Sequence, residues 1–460
     1  MFKALGNIFR VEELRKKIFI TLALLIVYRI GCFIPTPGIN TVALSRFFEE
    51  MAKTQGETIL GIINLFTGGA LKRLSIFALG IMPYISASII MQLLTGVIPA
   101  LENLAHEGKA GYEKINQYTR YLTLAICLVQ GTMLALWLKQ PQQIGNMELY
   151  LVPANAGMLF IIVTVLTLTC GTVFIMWLGE QIQERGIANG ISLIITVSII
   201  SRLPNSLYQL WILYSPFDPA KRQLSTVTLI SLLILGLFVI LAVVLFTQAQ
   251  RRIPVQYGKR IIGRKVYGGQ STYLPIRIDM SGVIAIIFAQ AIILFPATLA
   301  QFLPKGDNPG LWQNILGGLQ NILKSQGLGY NLFYVGLIFF FMYFHTAIVF
   351  NPVEISNNLK KYGGFIPGIR PGRQTTEYLD FVATRVVFVG ALYISLIAIL
   401  PNIIMQLFRI PSYAIASFFG GTTVLIMVGV ILDMMRQIEG QLLIRHYEGF
   451  IKGKEMKGRR

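Results

Sequence analysis

Ten blocks of apolar residues, most of them close to 20 residues long, leave this chain few ways to fold. A helix of about 20 residues is long enough to cross the hydrocarbon core of a bilayer. Hydrophobic residues make up 54% of the 460 and charged residues only 13%, whereas about a quarter are charged in soluble domains. We therefore predict an all-α membrane protein with ten transmembrane helices, at about 18–34, 74–97, 121–138, 156–178, 187–203, 225–246, 282–303, 331–350, 384–401 and 413–432.

Basic residues are distributed unevenly among the segments that join these spans. If the N-terminal tail is cytoplasmic, then the C-terminal tail and the loops 99–120, 179–186, 248–281 and 351–383 lie on the same side. This side holds most of the 40 Lys and Arg residues. Because cytoplasmic loops of membrane proteins carry an excess of Lys and Arg, the asymmetry predicts that both termini are cytoplasmic.

Residues that could carry chemistry are scarce. Cys32, Cys127 and Cys170 all fall in apolar spans without metal-ligand spacing, so we expect buried free thiols. The three histidines are scattered over a loop, a span and a tail. The sequence contains none of the common nucleotide-binding or hydrolase motifs. We expect no enzyme activity, no catalytic residues, no metal site and no cofactor.

Two other classes of membrane protein stay open at this point. A proton-coupled or ion-coupled carrier is disfavoured, because such carriers place ionisable residues at the midplane and here the carboxylates lie at span ends or in loops. A multi-spanning solute carrier that binds a neutral solute or sodium through backbone carbonyls is the main alternative. A membrane-embedded transferase or insertase acting on lipids would require a reactive polar pair that the sequence does not reveal.

Two loops on the basic side are rich in turns. Residues Gln250–Ile278 contain seven basic residues and no acidic ones, with glycines between short β-prone runs. Residues Asn357–Gln374 repeat this pattern with a Gly-Gly pair and two Pro-Gly turns. Such loops can simply set topology and contact anionic lipid. Their length and turns favour a structured finger that docks a phosphate-rich or acidic partner.

Eight short blocks stand out along the chain between about Lys16 and Tyr447. In order they read IPTPGI, FTGGALKRLSIFALGIMPYISASIIMQLL, KINQYTRYLT, WLGEQIQERGIANGIS, GRKVYGGQSTYLPIRI, ILFPATLA, VFNPVEISNNLKKYGGFIPGIRPGRQT and GALYI. Together they resemble the SecY family, the channel-forming subunit of the bacterial Sec protein translocon. The resemblance covers nearly the whole chain.

The resemblance implies a clamshell of two inverted five-helix halves around a central pore. The implied function is a passive protein-conducting channel, which translocates unfolded secretory proteins and releases apolar segments laterally into lipid. The implied divisions are a cytoplasmic tail at 1–17, a first half at 18–203 that includes a plug at 61–72, a second half at 225–432 with the loops 248–281 and 351–383, and a cytoplasmic tail at 433–460.

Site residues follow from the motif matches. The pore ring is implied at Ile81, Ile85, Ile195, Ile287 and Ile426. The plug, a short helix that closes the pore from the outer side, is implied to include Asn64, Phe66, Gly68, Gly69, Leu71 and Lys72. In this plug an apolar half-helix precedes the Gly pair, and the pair supplies a break.

Two further sets of residues match family positions. The lateral gate, between spans two and three and spans seven and eight, is implied to include Ser86, Ser88, Gln92 and Asn189. Contacts with a motor or a ribosome are implied for Arg264, Lys265 and Arg370. The chain departs from the family at Ala285, where proline is common, at Gln290-Ala291, where some members have a serine pair, and at His345, where an aromatic residue is usual.

Partners and location are also implied by the resemblance. The expected partners are the small membrane subunits SecE and SecG, the SecA motor ATPase, the ribosome with its RNA phosphates, secretory preproteins with their signal sequences, and the lipid bilayer. The expected location is the bacterial cytoplasmic membrane.

Overall fold

Long apolar helices form most of the structure, a computed structural model that describes residues 11–54, 59–144, 147–153, 157–214, 224–258, 260–262, 265–267, 271–281, 283–302, 327–408, 410 and 413–455. Seven helices among these residues are long and apolar enough to cross a bilayer alone, and a bent pair supplies another. Two more complete the ten: Ile284–Phe302, an apolar helix of 19 residues, and Glu12–Gly31, whose first turns are charged.

The ten spanning helices are called spans one to ten here. In order they are Glu12–Gly31, Met82–Val97, Lys109–Lys139, Met158–Arg185, Gly190–Ile200 continuing as Leu203–Tyr214, Thr226–Gln248, Ile284–Phe302, Leu328–Val349, Arg373–Phe408 and Thr422–Glu455. Among the described residues, the shorter helices outside them are Thr41–Thr54, Ile59–Phe66, the 3₁₀ helix Leu71–Arg73, Pro99–His106, Pro352–Lys361 and Tyr413–Phe418.

Large apolar side chains cover the outer faces of these helices. On span six, Ile234, Leu237 and Phe238 are each more than 60% exposed. Exposed apolar surface on this scale is stable in hydrocarbon and not in water. The chain is therefore a multi-pass membrane protein.

The spans pack as two groups of five. In the first half, span three packs against spans two and four, and span four packs against spans one and five. In the second half, span eight packs against spans seven and nine, and span six packs against spans nine and ten. The halves meet where span seven lies against spans two and three, and where span ten lies against span five. This arrangement confirms the predicted clamshell of two five-helix halves.

Spans two and ten begin later than the apolar pattern predicts. Residues 76–81 form consecutive turns, and helix starts at Met82 with Pro83 in its first turn, where proline is well tolerated. Span ten starts at Thr422, because Gly421 at φ +82° separates it from the helix Tyr413–Phe418. It then runs unbroken to Glu455, so the predicted tail from residue 433 continues this helix.

The prediction that all three cysteines are buried is confirmed for two of them. Cys32 and Cys127 are buried, but Cys170 is exposed. Its neighbours Thr169 and Gly171 on span four are buried, so Cys170 occupies the outward face of the helix. Apolar composition alone does not distinguish an inward from an outward position in a membrane span.

Small sheets lie outside the spans. Strand β1 (Gln142–Ile144) pairs with β2 (Met147–Leu149), and β4 (Arg260–Ile262) pairs with β5 (Lys265–Tyr267). Strands β3 (Gln250–Tyr257), β6 (Ser271–Arg277) and β7 (Gly364–Phe365) form one antiparallel sheet in the order β6-β3-β7. The prediction of a structured segment at 250–278 is therefore confirmed for its described residues, and the second basic loop contributes a strand to the sheet.

Candidate functional site

The plug segment, residues 61–72, lies where the two halves meet. Its helix, Ile59–Phe66, is apolar except for Asn64. This helix packs against span five of the first half and span seven of the second. A helix that is apolar on every side is stable where all its faces are covered. The buried apolar side chains are Ile62, Ile63, Leu65 and Phe66.

The turn after this helix requires glycine. Gly68 has φ +64° and Gly69 has φ +90°, which only glycine adopts without strain. A Cβ on Gly68 would also lie 3.0 Å from Arg29 Nη1 and 3.2 Å from Ser198 Cα. The predicted break at this pair is confirmed, and the turn is enclosed by spans one and five.

Polar contacts hold the plug segment in this conformation. Asn64, which is 4% exposed, accepts a hydrogen bond at Oδ1 from the Lys72 backbone N–H (3.1 Å). The Gly69 N–H donates to the Asn64 carbonyl (3.0 Å). The Lys72 ammonium donates to Glu49 at 2.7 Å. A buried asparagine needs such partners, so Asn64 both closes the turn and satisfies its own side chain.

The five isoleucines of the predicted pore ring belong to one large apolar core. None is more than 8% exposed, and the same core includes the apolar residues of the plug segment. Ile81 directly precedes span two and the other four lie on spans two, five, seven and ten, so the ring residues come from both halves. They are Ile81, Ile85, Ile195, Ile287 and Ile426. Burial is ordinary for isoleucine in a packed bundle, so their role as a pore ring stays a prediction.

A small cavity marks the seam between the halves. Its volume is about 30 Å³, and its polar lining consists of Ser86 on span two, Gln130 on span three and Thr298 on span seven. Gln130 Nε2 lies 3.5 Å from Thr298 Oγ1 across the seam. Leu71 of the plug segment lines the same cavity. One predicted gate residue, Ser86, thus lies at the contact between spans two, three and seven.

The other predicted gate residues occupy different positions. Ser88 and Gln92 are half-buried on span two. Asn189 is exposed and caps the start of span five, because its Oδ1 accepts from the backbone N–H groups of Ile191 (3.1 Å) and Ser192 (3.3 Å). Capping of this kind satisfies helix N–H groups that have no partner within the helix.

Sequence reasoning missed Gln130 and Thr298 as seam residues. Each is a polar residue within an apolar block. Because such a residue needs a hydrogen-bond partner inside the bundle, the sequence could have indicated that both face another helix. Gln290, a departure from the family, also has such a partner: its Nε2 donates to Thr422 Oγ1 at 2.9 Å, which joins spans seven and ten.

Of the predicted partner-binding residues, Arg370 follows strand β7 of the sheet β6-β3-β7 in the chain. Arg370 is exposed, and its carbonyl accepts from Thr375 Oγ1 (2.9 Å). Lys265 begins β5 and pairs with Ile262 through the backbone, whereas Arg264 lies outside the described residues. Other exposed basic residues on this side are Arg251, Arg252, Arg277, Lys360 and Lys361. An apolar cluster under the sheet holds both loops together: Ile253, Val255, Ile276, Ile366 and Leu379.

Comparison with known sequences decides the family. A family model described as SecY matches residues 75–435. The chain belongs to the SecY family. SecY relatives from Streptomyces galbus and Aquifex aeolicus, both named protein translocase subunit SecY, are 45% and 43% identical. Each of these alignments covers 98% of this chain and 100% of the relative.

Solved structures agree with the SecY fold. A protein-conducting channel matches with a TM-score of 0.60 at 18% identity, and the match covers 92% of this chain and 91% of that one. Sec61 from a canine ribosome-channel complex matches with a TM-score of 0.56 at 17% identity over the same shares of each chain. At these identities the likeness establishes a shared fold.

Proposed function

We propose that the chain forms a passive protein-conducting channel. Unfolded secretory proteins cross the membrane between the two halves, and apolar segments leave sideways into lipid because that transfer is favourable. The observation that carries this proposal is the position of the plug helix, Ile59–Phe66, between span five and span seven. A helix in that position obstructs passage between the halves and is freed when they separate.

The seal in this proposal is apolar. A channel for polypeptides of any sequence cannot use a ring of charges tuned to one ion. A narrow apolar ring excludes water and ions by dewetting and yields to a passing chain. We assign this ring to the five isoleucines, which share one buried core with the plug segment, and the plug to Asn64, Phe66, Gly68, Gly69, Leu71 and Lys72.

Lateral release uses the seam that has spans two and three on one side and spans seven and eight on the other. Ser86, Gln130 and Thr298 line the seam cavity. Gly96 of span two lies beside Phe344 of span eight, because a Cβ on Gly96 would be in ordinary van der Waals contact with the Phe344 ring at 3.7 Å. Polar contacts between membrane helices are individually weak, of the order of 1 kcal/mol. A seam held by such contacts can part for a signal sequence. We assign Ser86, Ser88, Gln92 and Asn189 to this gate.

The energy for translocation comes from a partner outside this chain. We assign the exposed Arg370, with Arg264 and Lys265, to the binding of the SecA motor ATPase or the ribosome. The joint sheet of the two basic loops supports this, since a rigid surface of exposed cations suits an acidic or phosphate-rich partner. The solved Sec61 relative comes from a ribosome-channel complex, which favours the ribosome as one partner.

Several finer assignments belong to the same proposal. We place the chain in the bacterial cytoplasmic membrane with both termini cytoplasmic, and SecE and SecG as its small membrane partners. The divisions at 1–17, 18–203, 225–432 and 433–460 are proposed as the N-terminal tail, the two halves and the C-terminal tail. The role is non-enzymatic, since the relatives are subunits of a translocase. No observation favours the solute-carrier alternative.

Crosslinking to a stalled substrate tests this function. A photo-crosslinker replaces Ile85 in the proposed ring, and a secretory nascent chain is stalled in transit. We expect a crosslink that depends on an intact signal sequence. A crosslinker at Ile234, which is 64% exposed on span six, is the matched control and should not react with the stalled nascent chain. If the stalled nascent chain is properly engaged and crosslinks at other positions of the channel but never at Ile85, the proposed pore axis is wrong.

A further inference from the structure

Two arginines share one aromatic ring at the end of span one. The guanidinium carbon of Arg29 lies 5.3 Å from the centre of the Phe33 ring, and that of Arg73 lies 4.3 Å from it. Arg29 belongs to the last turn of span one, and Arg73 follows the plug segment directly. Segments separated by more than 40 positions in the chain therefore bring two positive charges to one place.

Neither charge is neutralised within the part of the chain that the structure describes. Arg29 donates to the Gly68 carbonyl (3.4 Å), and neither guanidinium forms an ion pair with a carboxylate there. Glu49, on the adjacent helix Thr41–Thr54, is bound to Lys72. An aromatic face stabilises a cation by only about 0.5–1 kcal/mol at an exposed site, and two like charges on one ring repel each other. The two guanidinium groups are therefore available to bind an anion.

The surroundings indicate which anion. Phe33, just past the end of span one, is 53% exposed, and Ile26 and Ile30 in the last turns of that span are also exposed. An exposed apolar stripe on a spanning helix faces the acyl chains of the bilayer. A phosphate that approaches this site from the side therefore belongs to a lipid headgroup. Arginine is well suited to it, because its planar guanidinium binds phosphate oxygens in pairs.

We propose that Arg29 and Arg73 form a binding site for the phosphate of an anionic phospholipid, with Phe33 between the headgroup and the acyl chains. The leaflet is the one at the end of span one where the plug segment ends. Arg29 also donates to Gly68, so the bound headgroup contacts the same side chain that holds the plug turn.

Quenching by brominated lipids tests this site. A fluorophore is attached at Ile30→Cys in the full chain, with the exposed Cys170 changed to Ser, and the protein is reconstituted in phosphatidylcholine vesicles. Dibrominated phosphatidylglycerol or dibrominated phosphatidylcholine is then added in steps. Because each arginine contributes about 1 kcal/mol near a membrane surface, we expect phosphatidylglycerol to associate about fivefold more strongly for each arginine.

Matched variants separate this site from general charge effects. Arg29→Gln with Arg73→Gln should abolish the preference for phosphatidylglycerol, and Arg73→Gln alone, at an exposed side chain, should reduce it. Arg251→Gln with Arg252→Gln removes two exposed cations from β3 and should leave the preference unchanged.

Three outcomes would overturn the proposal. The first is equal quenching by the two lipids in the unaltered protein, which is the result expected if a carboxylate of a protein partner fills the site. The second is a preference that survives in the double variant. The third is loss of the preference on addition of inorganic phosphate, which would assign the site to a free anion.

Discussion

The backbone N–H of Ala188 donates a hydrogen bond to Oε1 of Gln437 at 2.8 Å, and this bond joins the two halves of the protein. Ala188 lies just before span five and Gln437 lies on span ten. The same turn is bound to span one, because the Ile187 N–H donates to Thr21 Oγ1 (3.2 Å). Ala188 has φ +68°, a left-handed conformation that is unfavourable for alanine. Contacts on both sides thus hold the turn in this conformation.

Loss of the Gln437 acceptor should weaken the contact between the halves. Gln437→Leu leaves the Ala188 N–H, in a residue only 7% exposed, without its partner, which costs about 1–3 kcal/mol. We expect a lower midpoint of thermal unfolding in detergent. Gln437→Glu keeps an oxygen acceptor and should retain most of the stability. Equal stability of the Leu variant and the unaltered protein would argue against this role.

Substitution of Gly68 should displace the plug. In Gly68→Ala the new Cβ meets Arg29 Nη1 and the Ser198 backbone at 3.0–3.2 Å, in addition to the strain at φ +64°. Such strain costs about 1–3 kcal/mol. We expect increased ion leakage through vesicles that contain the variant.

The matched control for this prediction is Gly108→Ala. Gly108 has φ +75°, but a Cβ there meets no atom within 4 Å. Its ψ of −140° also disfavours alanine, so the variant imposes backbone strain far from the plug, and leakage should not change. If the two variants leak equally, backbone strain in general is responsible and the plug contact is not.

A polar residue in the proposed ring should let ions pass. Ile195 is 1% exposed on span five, and Ile195→Asn would place an amide in the apolar core that the plug segment shares. Because dewetting depends on an apolar wall, we expect a higher resting permeability to small ions. Ile200→Asn, on the same helix but at a position 40% exposed, should have little effect. The ring assignment fails if only the Ile200 variant leaks.

Reversal of the charge at Arg370 should abolish motor-driven export. The side chain is exposed, and the hydrogen bond at Arg370 among the described residues is to its backbone carbonyl, so Arg370→Glu should leave the thermal unfolding midpoint unchanged. Export of a secretory protein into vesicles, driven by SecA and ATP, is the measurement. Lys361→Glu makes the same change of charge at another exposed residue of the second basic loop and should reduce export much less. Normal export by the Arg370 variant would remove the proposed role.

The sequence alone was sufficient for the features that depend on local composition. Whether a segment spans the bilayer depends on about 20 consecutive residues, so ten spans could be counted before any contact was known. The break at Gly68 and Gly69 was also predictable, because only glycine readily adopts the positive φ of both positions. Motif matches then indicated the SecY family.

Only the tertiary structure decided which distant residues meet. An apolar segment has the same hydropathy whether it forms turns or a helix. The residues at which spans two and ten begin could therefore not be predicted from composition. Pairing of β7 with β3 and the approach of Gln130 to Thr298 join residues more than 100 positions apart in the chain. Such contacts depend on how whole helices and loops pack, because a side chain's neighbours in sequence do not specify which distant residue it will meet.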